Sequence, residues 1–346
     1  MKRILLCFLL VGLSSCLMMD LKTRDDSSEF SAISFNMKWP DGVAVQDSVH
    51  IAMNAVSEPV RYLYDTDSKG NVYMDKVDTV VALYGNYVFL ACTCDEESVS
   101  LEGPSAFLSS GNVSLRDFKA RVHTLENESL SDLRPEGVKD FNSNTPFLAQ
   151  PKVLCYDLQK FQVSDTDENS YSFNLHSLVQ NITLNVRIKA EDGVTLTDVV
   201  GEITGLPSSV SLFTGAVSQT DLGRVIFRMI PSQGAEYNAS FSSLGLFPSE
   251  SSTLYSGPGI LRLRVSAYWN GVTKYLYPAI NLREVILSSG MMTPVQNGDG
   301  YKIALDRVIL DIPATLVVGK GYFAAGDGSE GVDAWFDSEK TIDVEV

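Results

Sequence analysis

Residues 182–189 read Ile182-Thr183-Leu184-Asn185-Val186-Arg187-Ile188-Lys189. Apolar and polar side chains alternate through the whole stretch, with β-branched residues on the apolar side. A repeat of two puts Ile182, Leu184, Val186 and Ile188 on one face of a strand and the polar four on the other. One dry face and one wet face is the signature of an antiparallel sheet packed on one side. The same pattern recurs at Leu261, Leu263, Val265 and Ala267, set against Arg262, Arg264 and Ser266. It appears again at Ile33, Phe35, Met37 and Trp39, and at Ile342, Val344 and Val346. Val60, Tyr62 and Tyr64 share a face, Gly85–Cys92 is a strongly β-prone run, and Lys152–Val163 has a strand pattern. Asp65–Asn71 reads as a turn. Tyr301–Ile312 begins on Ile303 and Leu305, then shifts phase to Val308, Leu310 and Ile312, which predicts a bulge or a strand changing sheets. Many short strands with turn punctuation favour sandwiches over α/β layers. The expected fold is all-β: two tandem antiparallel Greek-key β-sandwiches.

The chain starts Met1-Lys2-Arg3, followed by the short apolar run Ile4–Leu13 and then Ser14-Ser15-Cys16. Basic start, apolar core and small residues make a secretory signal, and the core is too short to span a bilayer, which takes about 20 residues. The ending Leu13-Ser14-Ser15-Cys16 resembles the bacterial lipobox, in which the cysteine thiol is acylated and becomes the new N-terminus. Cys16 is the expected lipidation site. Its acyl chains would hold the protein stably at the outer membrane, where one chain alone binds only reversibly. The expected organisation is a signal peptide over 1–15, a lipidated tether over 16–29, an N-terminal sandwich over 30–168 and a C-terminal sandwich over 169–346. The polar stretch Ser164–Ser170 marks the junction.

Composition narrows the function. The 346 residues are 45% apolar and 20% charged, a globular makeup, with a net charge of -16. Loss of Lys2 and Arg3 with the signal takes the mature chain to -18. Nucleic acid is excluded as a partner, because phosphate binding needs clustered Lys and Arg against a less acidic background. Residues 16–168 hold 13 basic and 25 acidic groups, and residues 169–346 hold 12 and 18. The half nearer the membrane is therefore the more acidic.

No motif carries chemistry. His50, His123 and His176 are the only histidines, and no Gly-x-Ser-x-Gly occurs. Asp65-Thr66-Asp67-Ser68-Lys69-Gly70 opens like a calcium loop, but Lys69 and Lys76 stand where oxygen ligands are needed. Asn297–Gly300 and Gly326–Gly331 are Gly/Asp-rich turns. Cys92 and Cys94 point to one face of their strand, and Cys155 could reach one of them if its strand lies alongside; three small buried hydrophobes is the simpler reading. Trp39, Trp269 and Trp335 are either core residues or a sugar-stacking platform. No catalytic group, cofactor or metal is expected.

A leader, a tether and two β halves resemble the fimbrillin-type lipoproteins of Bacteroidetes, which include pilin, tip and anchor subunits of fimbriae. Leu83–Asp95 (LYGNYVFLACTCD) is similar to the late strand of that family's N-terminal domain. Val179–Leu206 is similar to the opening of its C-terminal domain. Ser243–Pro248, the strand at Leu261, Val308–Pro313, Trp335 and Ile342–Val346 follow the same order. The resemblance implies transthyretin-like domains and a non-enzymatic structural role, with other fimbrial subunits bound by β-strand addition. In that family stalk pilins lose their first strand to a protease cutting after Arg or Lys. Arg24 lies in the tether and Arg61 follows the first strand, in a strand pattern of its own, so an anchor or accessory subunit fits better than a stalk pilin. The competing expectation is a surface glycan-binding lipoprotein of a polysaccharide-uptake system, which would need its tryptophans clustered and exposed.

Overall fold

A computed structural model of the chain describes residues 30–56, 61–67, 80–103, 114–134, 144–164, 169–295 and 300–324. The first half contributes β1 (Phe30–Lys38), β2 (Ser48–Ala55), β3 (Arg61–Asp67), β4 (Val80–Leu83), β5 (Gly85–Cys94), β6 (Val99–Glu102), β7 (Lys119–Val122), β8 (Leu154–Val163), β9 (Asn169–Asn174) and β10 (His176–Ser177). The second contributes β11 (Gln180–Ala190), β12 (Thr195–Pro207), β13 (Ser209–Ser211), β14 (Leu222–Arg228), β15 (Ile230–Pro231), β16 (Glu236–Ser243), β17 (Ile260–Trp269), β18 (Val272–Leu276), β19 (Ala279–Asn281), β20 (Met292–Pro294), β21 (Tyr301–Ile303) and β22 (Arg307–Val318). Two short α-helices, α1 (Arg283–Ser289) and α2 (Gly321–Ala324), and two 3-10 turns, Leu115–Asp117 and Asn127–Leu130, complete the described elements.

The first sandwich packs a sheet of order β4-β1-β9 on one of order β10-β8-β5-β2-β3. Ile33 and Phe35 of β1 and Tyr171 and Phe173 of β9 meet Val49, Ile51 and Met53 of β2 and Phe89 of β5 in one buried cluster. Phe89 is its centre, with ring centroids 5.1 Å from Tyr171, 5.3 Å from Phe161 and 6.2 Å from Phe35. The second sandwich packs β15-β16-β11-β22 on β14-β12-β17-β18, with β19 also paired to β17. The face of β11 that carries Ile182, Leu184, Val186 and Ile188 is buried, opposite Leu261, Leu263, Val265 and Ala267. Phe227 and Phe241 stack across the two sheets at 5.2 Å and 7°. Gly201 leaves the room for that stack: a Cβ there would fall 2.4 Å from the Phe227 ring.

The all-β expectation holds, but not as purely antiparallel sheets. β1 runs parallel to β9, and β11 runs parallel to β22. In each sandwich the first strand lies beside the last long one. A parallel neighbour requires a crossover, and here the intervening strands of the sandwich supply it. Strand pairing also divides the chain later than the polar stretch near residue 168 does. β9 and β10 follow that stretch, yet they pair with β1 and β8. The buried Asn169 shows why: its Nδ2 donates to Ser31 Oγ and to the Ser164 carbonyl, tying the start of β9 to the first sandwich.

One local expectation is corrected, and of two alternatives at another site the change of sheet is the one found. Asp65–Asp67 is strand, not turn, because Ser48–His50 supplies a partner for its backbone. The phase shift in Tyr301–Ile312 is a break between two strands of different sheets, β21 and β22. A register irregularity falls elsewhere, where β11 meets β22 between Asn185 and Arg187.

The core of the second sandwich extends onto the outer face of the first. β13, from the second half, pairs with β7, and β7 with β6. Leu90, Cys92 and Leu154, on the second face of the β8-β5-β2 sheet, join one cluster with Leu115, Phe118, Val122, Leu212 and the whole second-sandwich interior. Covering both faces explains why Phe89–Thr93 is buried without alternation.

Candidate binding surfaces

Cys16, the expected lipidation site, and Arg24 lie outside the described residues, as do Trp335, Gly326–Gly331 and the final strand pattern at 342–346. Residues 68–76 of the calcium-like stretch and 297–299 of the Asn297–Gly300 turn lie outside them too. Among the described residues no group of three or more His, Cys, Asp or Glu could hold a metal ion, and no helix is long and apolar enough to cross a membrane.

The two described tryptophans, Trp39 and Trp269, do not gather. Trp39 is half-buried against the first-sandwich core, and Trp269 is half-buried against the second, 5.7 Å from Phe323. Each finishes a separate core. His176 is exposed, and His123 places Nδ1 3.1 Å from the Glu97 carbonyl oxygen. Cys92 and Cys155 are buried, and Cys94 is half-buried.

Edges and their strands matter for recognition by backbone pairing. β1 is held on both sides, with Phe30–Ile33 against β4 and Ile33–Lys38 against β9. Arg61 opens β3 opposite Asn54, and β2 lies between β3 and β5. β22 is twelve residues long and borders its sheet; among the described strands it pairs with β11 alone. Its outward face exposes Ile309, 65% accessible.

The outer face of β14-β12-β17 carries a cluster of charged residues that the sequence reading passed over. Register places Val200 between Arg228 and Arg264, Glu202 opposite Arg262 and Thr204 opposite Arg224. Asp198 takes two guanidinium groups, Arg228 and Arg264, each at 3.3 Å. Glu202 takes Arg224 at 3.0 Å. Arg262 donates through Nη2 to the Tyr255 carbonyl at 2.8 Å; burial pulls it below the usual guanidinium range, and nearby Glu202 partly opposes that. The Arg224 guanidinium also lies 3.8 Å from the centroid of Phe147, which the first half contributes. Leu130 and Phe147 cover Val200 and Ile226 at this side of the face. The alternation Arg262, Arg264, Ser266 was legible as the polar side of a strand. Its neighbours across the sheet were not.

No family model matches the chain, and no curated protein matches it. Among solved structures it is similar to a candidate adhesin from Bacteroides ovatus, with a TM-score of 0.51 at 14% identity over 85% of this chain and 93% of that one. It is also similar to the fimbrial anchor protein Mfa2 from Porphyromonas gingivalis, with a TM-score of 0.45 at 10% identity over 83% and 90% of the chains. A third likeness is to a candidate polysaccharide-binding protein from Bacteroides thetaiotaomicron, with a TM-score of 0.44 at 15% identity over 83% and 90%. The likeness to the Bacteroides ovatus protein is one of fold, and it extends over most of both chains.

Proposed function

We propose that the chain is a non-enzymatic, lipid-anchored outer-membrane protein, an anchor or accessory subunit of fimbrillin type that recognises partner subunits by β-strand addition. The observation that carries this reading is the setting of β1. It is hydrogen-bonded on both edges, and Ile33 and Phe35 fill the first core. A subunit that keeps this strand has no vacant groove there for a neighbour's strand. Cutting after Arg61 would free β1 together with β2, an inner strand carrying Val49, Ile51 and Met53 of the core. Such a cut would gut the first sandwich, which supports strand retention and hence the anchor role over the stalk role.

The lipobox-like Leu13–Cys16 and the fold likeness to an adhesin support the cell-surface setting. β22, which among the described strands is paired on one side alone, is the candidate edge for a partner's strand, since an unpaired row of N–H and C=O groups templates pairing. The dispersal of Trp39 and Trp269 weakens the tryptophan-platform version of glycan binding.

The test is a Cys16→Ser variant in cells fed labelled palmitate. The native chain is expected to take the label and sediment with the outer membrane, and the variant to do neither. Label retained by the variant overturns the anchor. Capture from native envelopes then separates roles: co-purifying sandwich-type lipoproteins support the fimbrial reading, and a porin-type sugar transporter supports the uptake reading.

A further inference from the structure

The two sandwiches are built on one plan. In chain order, β1, β2, β3, β4, β5, β8 and β9 of the first hold the places that β11, β12, β14, β16, β17, β18 and β22 hold in the second. In each, the first strand runs parallel to the last, and the other shared pairings are antiparallel. The two part at one edge. After β9 the chain crosses to the opposite sheet and lays β10 along the outer edge of β8, with His176 opposite Tyr156 and Ser177 opposite Cys155. The counterpart of β8 is β18, and among the described strands β18 pairs with β17 alone.

After β22 the chain makes the same crossing. It leaves that sheet at Val318, and α2 then sets Phe323 5.7 Å from Trp269, with Lys274 Nζ 6.0 Å from the same ring. Trp269 and Lys274 flank the turn of the β17–β18 hairpin, so α2 lies beside the first residues of β18. Residues 325–340 follow, sixteen in all. Extended, they reach roughly 50 Å, against about 17 Å for the length of β18. Thr341-Ile342-Asp343-Val344-Glu345-Val346 then alternates polar with apolar.

The edge of β18 asks for such a segment. Residues opposite each other in a hairpin share a face, so Val272, Lys274 and Leu276 lie with the inward-facing Trp269, Ala267 and Val265. This row is poorly covered: Val272 is 50% accessible, and Trp269 and Leu276 are only half-buried. Ile342, Val344 and Val346 would cover it and leave Thr341, Asp343 and Glu345 in water. The backbone has the matching need. Across a two-residue turn the pairs alternate, starting from a hydrogen-bonded pair at Trp269 and Val272. Thr273 and Tyr275 therefore point their N–H and C=O groups away from β17, at the outer edge.

We propose that Thr341–Val346 adds to the outer edge of β18, as β10 does to β8, with Ile342, Val344 and Val346 turned inward. The inference goes beyond the anchor reading and stands whether or not the chain joins a fimbria. It closes β18 with the chain's own segment and leaves β22 to a partner's strand.

The experiment is backbone hydrogen exchange resolved to single amides. It compares the full mature chain, a chain shortened to end at Lys340, and a full-length Ile342→Asp/Val344→Asp variant, which puts charge on the apolar row. In the native chain the Thr273 and Tyr275 amides are expected to be protected. In both altered chains they are expected to exchange roughly tenfold faster or more, while Arg307–Val318 keeps its native rates. Native rates at Phe89 and Leu263 separate a released strand from a lost fold. If the shortened chain does not fold, the double variant carries the comparison. Equal Thr273 and Tyr275 rates in the native and the folded altered chains, or protection lost along β22 in place of β18, overturns the proposal.

Discussion

Cys92 and Cys155 lie on neighbouring strands and face opposite cores. Cys92 pairs in register with Tyr156, and Cys155 with Thr93, a one-residue offset. Because successive side chains alternate faces, Cys92 enters the core that extends from the second sandwich and Cys155 the first-sandwich core. Adjacent strands therefore do not bring these thiols together, although the sequence brings their strands together. Oxidation of the folded chain is expected to form no Cys92–Cys155 bridge. Both thiols are expected to resist alkylation until denaturant is added. Peptide mapping under non-reducing conditions checks this, and a Cys92–Cys155 cross-linked peptide from folded protein contradicts it.

Alkali should strike the first sandwich. Burial, with a smaller push from Asp306, raises the Cys155 thiol from 9.0 to about 12. Burial likewise raises the Tyr171 hydroxyl from 10.0 to about 12. Both groups hold their protons more tightly when folded, so their contribution is complete below the unfolded values and is lost as pH rises through the folded ones. The urea midpoint is expected to fall steadily from pH 9 to pH 12. Cys155→Ala is expected to flatten the part of that fall assigned to the thiol. A midpoint unchanged between pH 8 and pH 11 contradicts the assignment.

Arg224 joins the two halves of the chain. Its side chain is 3% accessible, lies over Phe147 at 3.8 Å and pairs with Glu202, 17% accessible. Removing one partner of a buried pair leaves a charge in a dry place. Arg224→Ala is expected to cost about 3–5 kcal/mol, and Phe147→Ala a similar amount. Urea unfolding of both single variants and the double should show coupling. Strictly additive losses would mean that the cation and the ring do not act together.

Gly205 sits in β12 with φ +96, at a register shift between Thr204 and Leu206. A Cβ there would lie 2.7 Å from the Gly259 nitrogen and 2.8 Å from the Phe247 carbonyl oxygen. Those are the groups whose neighbours close the turn: Phe247 N–H donates to Gly205 and Gly259 N–H to Thr204, each at 2.9 Å. Gly205→Ala is expected to cost about 3 kcal/mol or more. Gly234 has φ +70 but nothing within 4 Å of a Cβ, so Gly234→Ala should cost only the strain, about 1–2 kcal/mol. Equal losses by thermal unfolding would show that the crowding at Gly205 is relieved.

The alternation at Ile182–Lys189 was readable because burial of one face is written residue by residue. The structure buries Ile182, Leu184, Val186 and Ile188 and leaves Arg187 and Lys189 exposed. Partner choice is not written that way. Nothing in β1 names β9 as its parallel neighbour, and nothing in Lys119–Val122 names Ser209–Ser211. Asp65–Asp67 has turn composition, but Ser48–His50 satisfies its backbone and tertiary pairing overrides propensity. The neighbours of Tyr275 were hidden for the same reason: it meets Ser266 only through the β17–β18 hairpin. That hairpin turns at Asn270-Gly271, both with positive φ, a two-residue signal that the sequence does display.

Intact-mass and peptide analysis of the mature protein, isolated from outer membranes, tests the account most directly, because one spectrum reports both anchor and strand. The expected product begins at Cys16, carries acyl chains on that residue and still contains Phe30–Lys38. An unacylated chain beginning at Tyr62, with β1 and β2 gone, would contradict it.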